Sequence, residues 1–308
     1  MTSIGADVSI VIPTYNYRKY LRDCLEGALS QTIPPKEILV VDDGSEDNTR
    51  EVVQEFLPNV RYIWQANMGL SAARNKGAMC TTGEWLLFCD ADDILVPTAL
   101  VSLLANSQKN NVGVVYGRVD NFYPDGKPPF TSGSDRCKGF PPYPAWANFP
   151  KSAVPTSGAA IIRRKAYETV GGYEMPWTPT EDRDFWMKVG MYFSFEYTSN
   201  IVLRKRYHKD SAISKRDRSV YWAMLVQLMF IEWCRERGLD YSFLEVTPKS
   251  IMERAMAKSA SLLLPRAMID IKRIAKQRGI PIQGAWGALV RTGLGACKGR
   301  LVRLFFAG

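Results

Sequence analysis

The chain has 308 residues, 46% of them apolar and 23% charged, with 40 Lys+Arg against 31 Asp+Glu. That composition excludes a disordered, collagen-like or fibrous chain, and the length allows a substantial core without covalent staples. One histidine, His208, and six dispersed cysteines with no C-x-x-C pair exclude multi-histidine zinc chemistry, and argue against a thiolate zinc site and a disulfide framework.

Residues 8–12, Val-Ser-Ile-Val-Ile, predict a buried strand closed by Pro13. Tyr20, Leu21, Cys24, Leu25, Ala28 and Leu29 recur at helical spacing over 17–31. A second strand is expected over 37–41, ending at Asp42-Asp43-Gly44-Ser45. Asn48 and Thr49 are candidate caps for a helix through Val53 and Phe56. A strand over 60–64, a helix over 69–80 and a strand over 85–89 continue the alternation. It predicts an α/β unit with a mostly parallel central sheet, in which ligands bind at the carboxyl ends of the strands. The polar clusters 13–16, 42–45 and 90–93 all fall at such ends.

Residues 121–158, rich in Pro, Gly, Ser and Tyr, are expected to form a long loop over the site. An apolar run at 159–162 leads to a helix from Arg164 to Gly171-Gly172. A further helix over 181–192 opens on Glu181-Asp182, and residues beyond 215 read as helical. No signal peptide is expected at the N-terminus. No stretch approaches the ~18 apolar residues of a spanning helix. The nearest, 223–234, is interrupted by Gln227 and Glu232, so a cytoplasmic protein is the expectation.

Charge divides the chain. Residues 1–202 hold 19 basic and 23 acidic side chains, and residues 203–308 hold 21 and 8. Two regions with different roles are therefore expected, one over 1–214 and a basic, mainly helical one over 215–308.

Asp90 and Asp92 are two apart after an apolar strand, so in extended backbone both carboxylates face one ligand. Oxygen donors of this kind suit Mg²⁺ or Mn²⁺, and a solvated turn with capping aspartates is the plain alternative. The order of five segments is more specific. They are Val8-Ser-Ile-Val-Ile-Pro-Thr-Tyr-Asn16, Ile38-Leu-Val-Val-Asp-Asp-Gly-Ser45, Asn67-Met-Gly-Leu-Ser-Ala-Ala-Arg-Asn75, Phe88-Cys-Asp-Ala-Asp-Asp93 and Thr180-Glu-Asp-Arg-Asp-Phe-Trp186. Together they resemble family 2 glycosyltransferases of the GT-A fold, over residues 7–214.

The resemblance implies an inverting, metal-dependent transferase that moves a sugar from a nucleotide-sugar donor to a hydroxyl of a saccharide or lipid-linked acceptor. A surface polysaccharide or glycolipid pathway follows by association. Pro13, Thr14, Tyr15 and Asn16 would line the base pocket, and Asp42 or Asp43 would accept the base imide, favouring a uridine or thymidine donor. Arg74 would lie near the nucleotide, Asp90 on the ribose or the metal, and Asp92 and His208 on Mn²⁺ or Mg²⁺. Asp182 would be the catalytic base, with Glu181, Asp184 and Trp177 supporting the acceptor site. Arg204, Lys205, Arg206 and Lys209 would attract diphosphate. Other readings are a sugar nucleotidyltransferase and a catalytically silent binding module. The first lacks its usual Gly-rich basic loop after strand one.

Residues 266–308 carry nine Lys+Arg and one acid with interleaved apolar side chains. This pattern fits peripheral contact with an anionic membrane, at the inner face of the cell membrane, or a packed helical subdomain with a basic face. No nucleic-acid recognition motif accompanies the charge, so no nucleic acid is expected as a partner.

Overall fold

The computed structural model describes residues 5–109, 111–133, 135, 155–174, 181–208, 219–244, 247–261 and 265–280. The chain divides into two compact units, Met1–Ser214 and Lys215–Gly308.

Among the described residues, the first unit is built on nine strands: β1 Ala6–Thr14, β2 Pro35–Asp42, β3 Arg61–Trp64, β4 Trp85–Phe88, β5 Ile94–Leu95, β6 Val112–Phe122, β7 Phe130–Ser132, β8 Ala160–Arg163 and β9 Ser194–Arg206. Its helices are α1 Arg18–Leu29, α2 Thr49–Gln54, α3 Leu70–Met79, α4 Ala99–Leu104, α5 Arg164–Val170 and α6 Glu181–Gly190. β1 buries residues from Val8 to Thr14 without interruption, the mark of a strand covered on both faces. α1 buries Leu21, Cys24, Leu25 and Ala28, the helical stripe read from the sequence. α3 packs so closely on β1 that a Cβ on Gly77 would lie 2.1 Å from Val11 Cγ1.

The strands run β3-β2-β1-β4-β8-β6-β9-β5, with β7 paired to β6. β3, β2, β1 and β4 are mutually parallel, as the alternation predicts. The parallel order ends at β8, which is antiparallel to both β4 and β6. The cause is local. Arg164, directly after β8, donates its N–H to Glu84 O (2.7 Å) and its guanidinium to Gly83 O and Ala78 O (both 2.7 Å). β8 must therefore end where β4 begins. Two reversals leave β6 running with β4, and β9 is parallel to β6. The carboxyl ends of β1, β2, β4, β6 and β9 thus share one sheet edge.

Two local readings change. The loop expected over 121–158 starts later, because β6 reaches Phe122 and β7 returns beside it, Val119 opposite Ser132. Asn48 takes the N-cap position of α2 in left-handed backbone without a side-chain cap. The Asp47 carboxylate accepts the Thr49 N–H instead (3.2 Å). Trp146, and the rest of that loop over 136–154, lie outside the described residues.

The second unit contains α7 Ser219–Glu236, α8 Pro248–Ser261 and α9 Pro265–Gln277. Ile271 and Ala275 of α9 are buried, while Arg273 and Lys276 are exposed. Beyond α9, the Arg278 guanidinium donates to both carboxylate oxygens of Glu232 (2.7 and 3.2 Å). Residues 281–308, most of the basic tail, lie outside the described residues. Among the described residues, no helix is long and apolar enough to cross a membrane.

Candidate active site

The shared strand edge holds a cavity of about 400 Å³, within the range of small-molecule sites. Its wall includes Pro13, Thr14 and Tyr15 from the end of β1, Asp43 from β2, and Asp90 and Asp92 from β4. Asn67, Gly69 and Leu70 line it too, so four of the five sequence segments converge on it.

The two neighbouring aspartates after β2 have different surroundings. Asp42 accepts from Ser45 N–H (2.8 Å) and from Tyr62 OH (2.7 Å), and does not line the cavity. Asp43 faces the cavity while accepting from Gln65 Nε2 (2.7 Å), Met68 N–H (3.0 Å) and Gly69 N–H (2.8 Å), which fastens the loop before α3. Gly44 permits the turn, with φ +86° and the Asn67 backbone nitrogen only 3.0 Å from where a Cβ would sit. Asn16 also lies in left-handed backbone and ties the two loops. Its N–H donates to Ser45 Oγ (2.9 Å), and its Oδ1 accepts the Glu46 N–H (2.8 Å). It shapes the rim rather than lining the cavity. Thr14 is buried with no hydrogen-bond partner for Oγ1 among the described residues.

Arg74 is the hub. It is 2% exposed and donates to Asp90 Oδ1 (2.8 Å) and Glu181 Oε1 (3.1 Å), and its guanidinium lies 5.0 Å from the Tyr173 ring centroid. It thereby joins the end of β4 to the start of α6, and Arg74 and Glu181 are themselves 107 residues apart in the chain. Burial opposes the charge of Asp90, but Arg74 and Lys205 outweigh it and hold the carboxyl below the usual range. Asp92 lacks that arginine, so burial and the Asp90 charge raise it. Burial lifts Glu181 to about 7 despite Arg74, and raises Asp182 as well. Asp182 Oδ1 accepts the Arg183 N–H (2.8 Å) at the helix start. Asp184 is buried against Lys188 (2.6 Å) inside α6, and burial pushes it to about 6. Trp177 lies outside the described residues.

His208 Nε2 and Asp92 Oδ2 share a hydrogen bond of 2.9 Å. The imidazole is braced by Tyr17 and Tyr20 of the α1 start, with centroids 5.9 and 4.5 Å away. Lys205 and Arg206 also line the cavity. Lys205 Nζ lies 3.6 Å from Asp93 Oδ2. Burial works against its charge, but Asp93, Asp90 and Asp92 prevail and raise it. Arg206 is held by Asp23 (2.6 Å) and by Asp92 O (3.1 Å). Arg204 pairs with Asp120 at 3.5 Å and is not part of the cavity wall. Lys209 lies outside the described residues.

Among the described residues, no three or more His, Cys, Asp and Glu groups form a metal cluster. Asp92 and His208 nevertheless stand together on one wall beside Asp90, an oxygen-rich set with an imidazole. Mg²⁺ and Mn²⁺ sites that bind nucleotides draw only one or two carboxylates from the protein and take the rest from phosphates and water. The residues present fit that sparse share.

The sequence profile of glycosyl transferase family 2 matches residues 9–171, more than half of the chain. The chain belongs to glycosyl transferase family 2. An uncharacterized glycosyltransferase of Rickettsia conorii is 26% identical over 271 residues, covering 82% of this chain and 44% of that protein. The chain spans under half the length of the curated relatives it matches. S. aureus TarS 1–349, solved with UDP-GlcNAc, superposes with a TM-score of 0.59 at 17% identity, over 88% of this chain and 92% of that one. The mannosyltransferase PcManGT of Pyrobaculum calidifontis, solved with GDP-Man and Mn²⁺, gives 0.56 at 16% identity, over 95% and 88%. The fold is the GT-A fold of these enzymes.

Lys205 and Arg206, which the sequence reading grouped with Arg204 and Lys209 as a basic run drawn to diphosphate, both line the cavity. Nothing in the sequence pointed to Tyr17 and Tyr20 as braces for His208.

The buried acids give a measurable pH dependence. Asp93 and Glu181, lifted to about 7, and Asp184, lifted to about 6, bind protons more tightly folded than unfolded. Their contribution is complete below the unfolded carboxyl range and is lost as pH rises through the folded values. Melting temperature is therefore expected to fall between about pH 5 and 8, with a shallower slope in Glu181→Gln. An equal slope in that variant would refute the assignment.

Proposed function

We propose that this chain is a metal-dependent, inverting glycosyltransferase that transfers a sugar from a nucleoside diphosphate donor to an acceptor hydroxyl. The observation that carries the reading is the Arg74 bridge. It ties Asp90, on the nucleotide side, to Glu181, beside Asp182, so a donor cavity and a base share one rigid frame.

In this reading Tyr15 stacks on the base, and Asp43 accepts its imide N–H. Asp43 fills three of about four acceptor positions with the 65–69 loop and keeps one. Asp43 lines the cavity and Asp42 does not, which favours Asp43 of the two. A uridine nucleotide follows, with thymidine next. The ribose meets Asp90, and Asp92 and His208 would hold Mn²⁺ or Mg²⁺, which would supply positive charge against the diphosphate. Asp182 takes the acceptor proton as the acceptor oxygen forms its bond to the anomeric carbon. The bond from that carbon to the diphosphate breaks, and its electron pair leaves with the nucleoside diphosphate. Arg74 and Lys205 offset the charge that develops there. Glu181 supports the acceptor side. Asp184, already paired with Lys188, steadies α6. The excess of basic residues beyond 202 supports work at an anionic membrane face on a lipid-linked or polysaccharide acceptor.

Calorimetry with a panel of nucleoside diphosphates, with and without Mn²⁺, tests the reading in the native chain and Asp92→Ala. UDP or dTDP is expected to bind more tightly with Mn²⁺, and the variant to lose about 10–100-fold or more of that gain. Absence of nucleotide binding in both conditions would overturn the proposal.

A further inference from the structure

Beyond β6 and β9, on the strand edge that carries the donor cavity, three aromatic rings stand together. Tyr123 and Tyr207 have centroids 5.2 Å apart, Phe130 and Tyr207 5.8 Å, and Tyr123 and Phe130 6.4 Å. Phe130 is 45% exposed. A single exposed aromatic needs no explanation, but three converging beside a polar cavity do.

The backbone fixes these rings. Tyr207 N–H donates to Phe122 O (2.9 Å), which extends the β6–β9 pairing by one residue. β7 has only three residues, yet buried Asn121 fastens it by donating to Phe130 O (3.0 Å) and Ser132 Oγ (2.8 Å). The cluster is tied to the cavity through the chain, since Tyr207 lies between Arg206 of the cavity wall and His208 on Asp92. The rim is charged but balanced. Lys127, over the Tyr123 ring at 5.5 Å, pairs with Asp125 at 2.7 Å, and Arg204, over Phe122 at 4.7 Å, pairs with Asp120 at 3.5 Å.

We propose that Tyr123, Phe130 and Tyr207 form a stacking platform for a pyranose ring of the acceptor saccharide. A pyranose offers an apolar C–H face to the rings and hydroxyls to a rim of paired donors and acceptors. The balanced rim favours a neutral sugar over an anionic lipid headgroup, which an unpaired basic patch would attract. The inference rests on the transferase reading and gives the acceptor a position on the edge shared with Asp90 and Asp92.

Saturation-transfer NMR on the full chain tests it, using the methyl pyranosides of glucose, galactose, mannose and N-acetylglucosamine. At least one is expected to receive saturation on the protons of one ring face. Its affinity should weaken about two- to tenfold in Phe130→Ala and in Tyr207→Leu, the range of an aromatic contact. UDP affinity measured in parallel should not change in Phe130→Ala. No saturation of any pyranoside, or undiminished saturation in both variants, would overturn the platform while UDP binding leaves the transferase reading intact. Binding to phosphatidylglycerol vesicles that is lost in Phe130→Ala would also overturn it, in favour of a lipid surface. Loss of UDP binding in the native chain would instead sink the transferase reading.

Discussion

Asp182→Asn is expected to lower turnover about 10²–10⁴-fold, the usual share of a general base, with nucleoside diphosphate affinity unchanged. The asparagine Oδ1 can still accept the Arg183 N–H that Asp182 Oδ1 accepts now, so the start of α6 keeps its geometry. Asp182 is not part of the cavity wall, so the nucleotide has no contact there to lose. What the amide cannot do is take a proton from an attacking hydroxyl. The measurement is the rate of product formation at saturating donor and acceptor, beside calorimetric affinity for UDP. Turnover within tenfold of the native rate would remove Asp182 from the chemistry. A parallel loss of UDP affinity would mean the substitution had disturbed the frame instead.

Arg74→Met is expected to have the largest structural effect. The side chain is buried between Asp90 and Glu181, so its removal leaves two carboxylates without their shared cation. Breaking a buried pair in this way costs about 3–5 kcal/mol, because the remaining charge is uncompensated. Denaturant unfolding should show that loss at neutral pH and a smaller one near pH 5, where both acids can take protons. UDP affinity should fall as well, since Asp90 loses the contact that fixes its rotamer. Arg74→Lys should lie between, keeping the charge but not the two-pronged reach. Stability unchanged in Arg74→Met at neutral pH would show that the bridge carries no weight.

The cavity half of the candidate site was legible because its signals are local. Each of β1, β2 and β4 is a short apolar run stopped by a polar cluster, and parallel alternation puts those clusters at one edge. The remainder depends on pairing that no window of sequence records. β6 is rich in Val yet broken by two glycines, and β9 mixes Glu, Asn, Arg and Lys into its run, so neither gives a clean period. The reversal at β8 is set by Arg164 reaching the turn before β4, a contact across about eighty residues. The choice of Asp43 over Asp42 rests on which of two adjacent carboxylates faces the cavity, and their order in the chain does not record that. Lys205 reads as one more residue in a basic run until β9 brings it against Asp93.

The strand order also bears on how the chain emerges during synthesis. β6 is eleven residues long, and one whole flank of it is covered by β9, which follows it by more than seventy residues. Ribosomes add about 5–20 residues per second, so that flank stands open for several seconds on a nascent chain. An open flank of such length is a template for pairing with a second chain. A fragment cut at residue 171, where the family match stops, would keep this exposed flank permanently, and would lack Glu181 opposite Arg74. A fragment that keeps β6 covered therefore needs to run at least through Arg206.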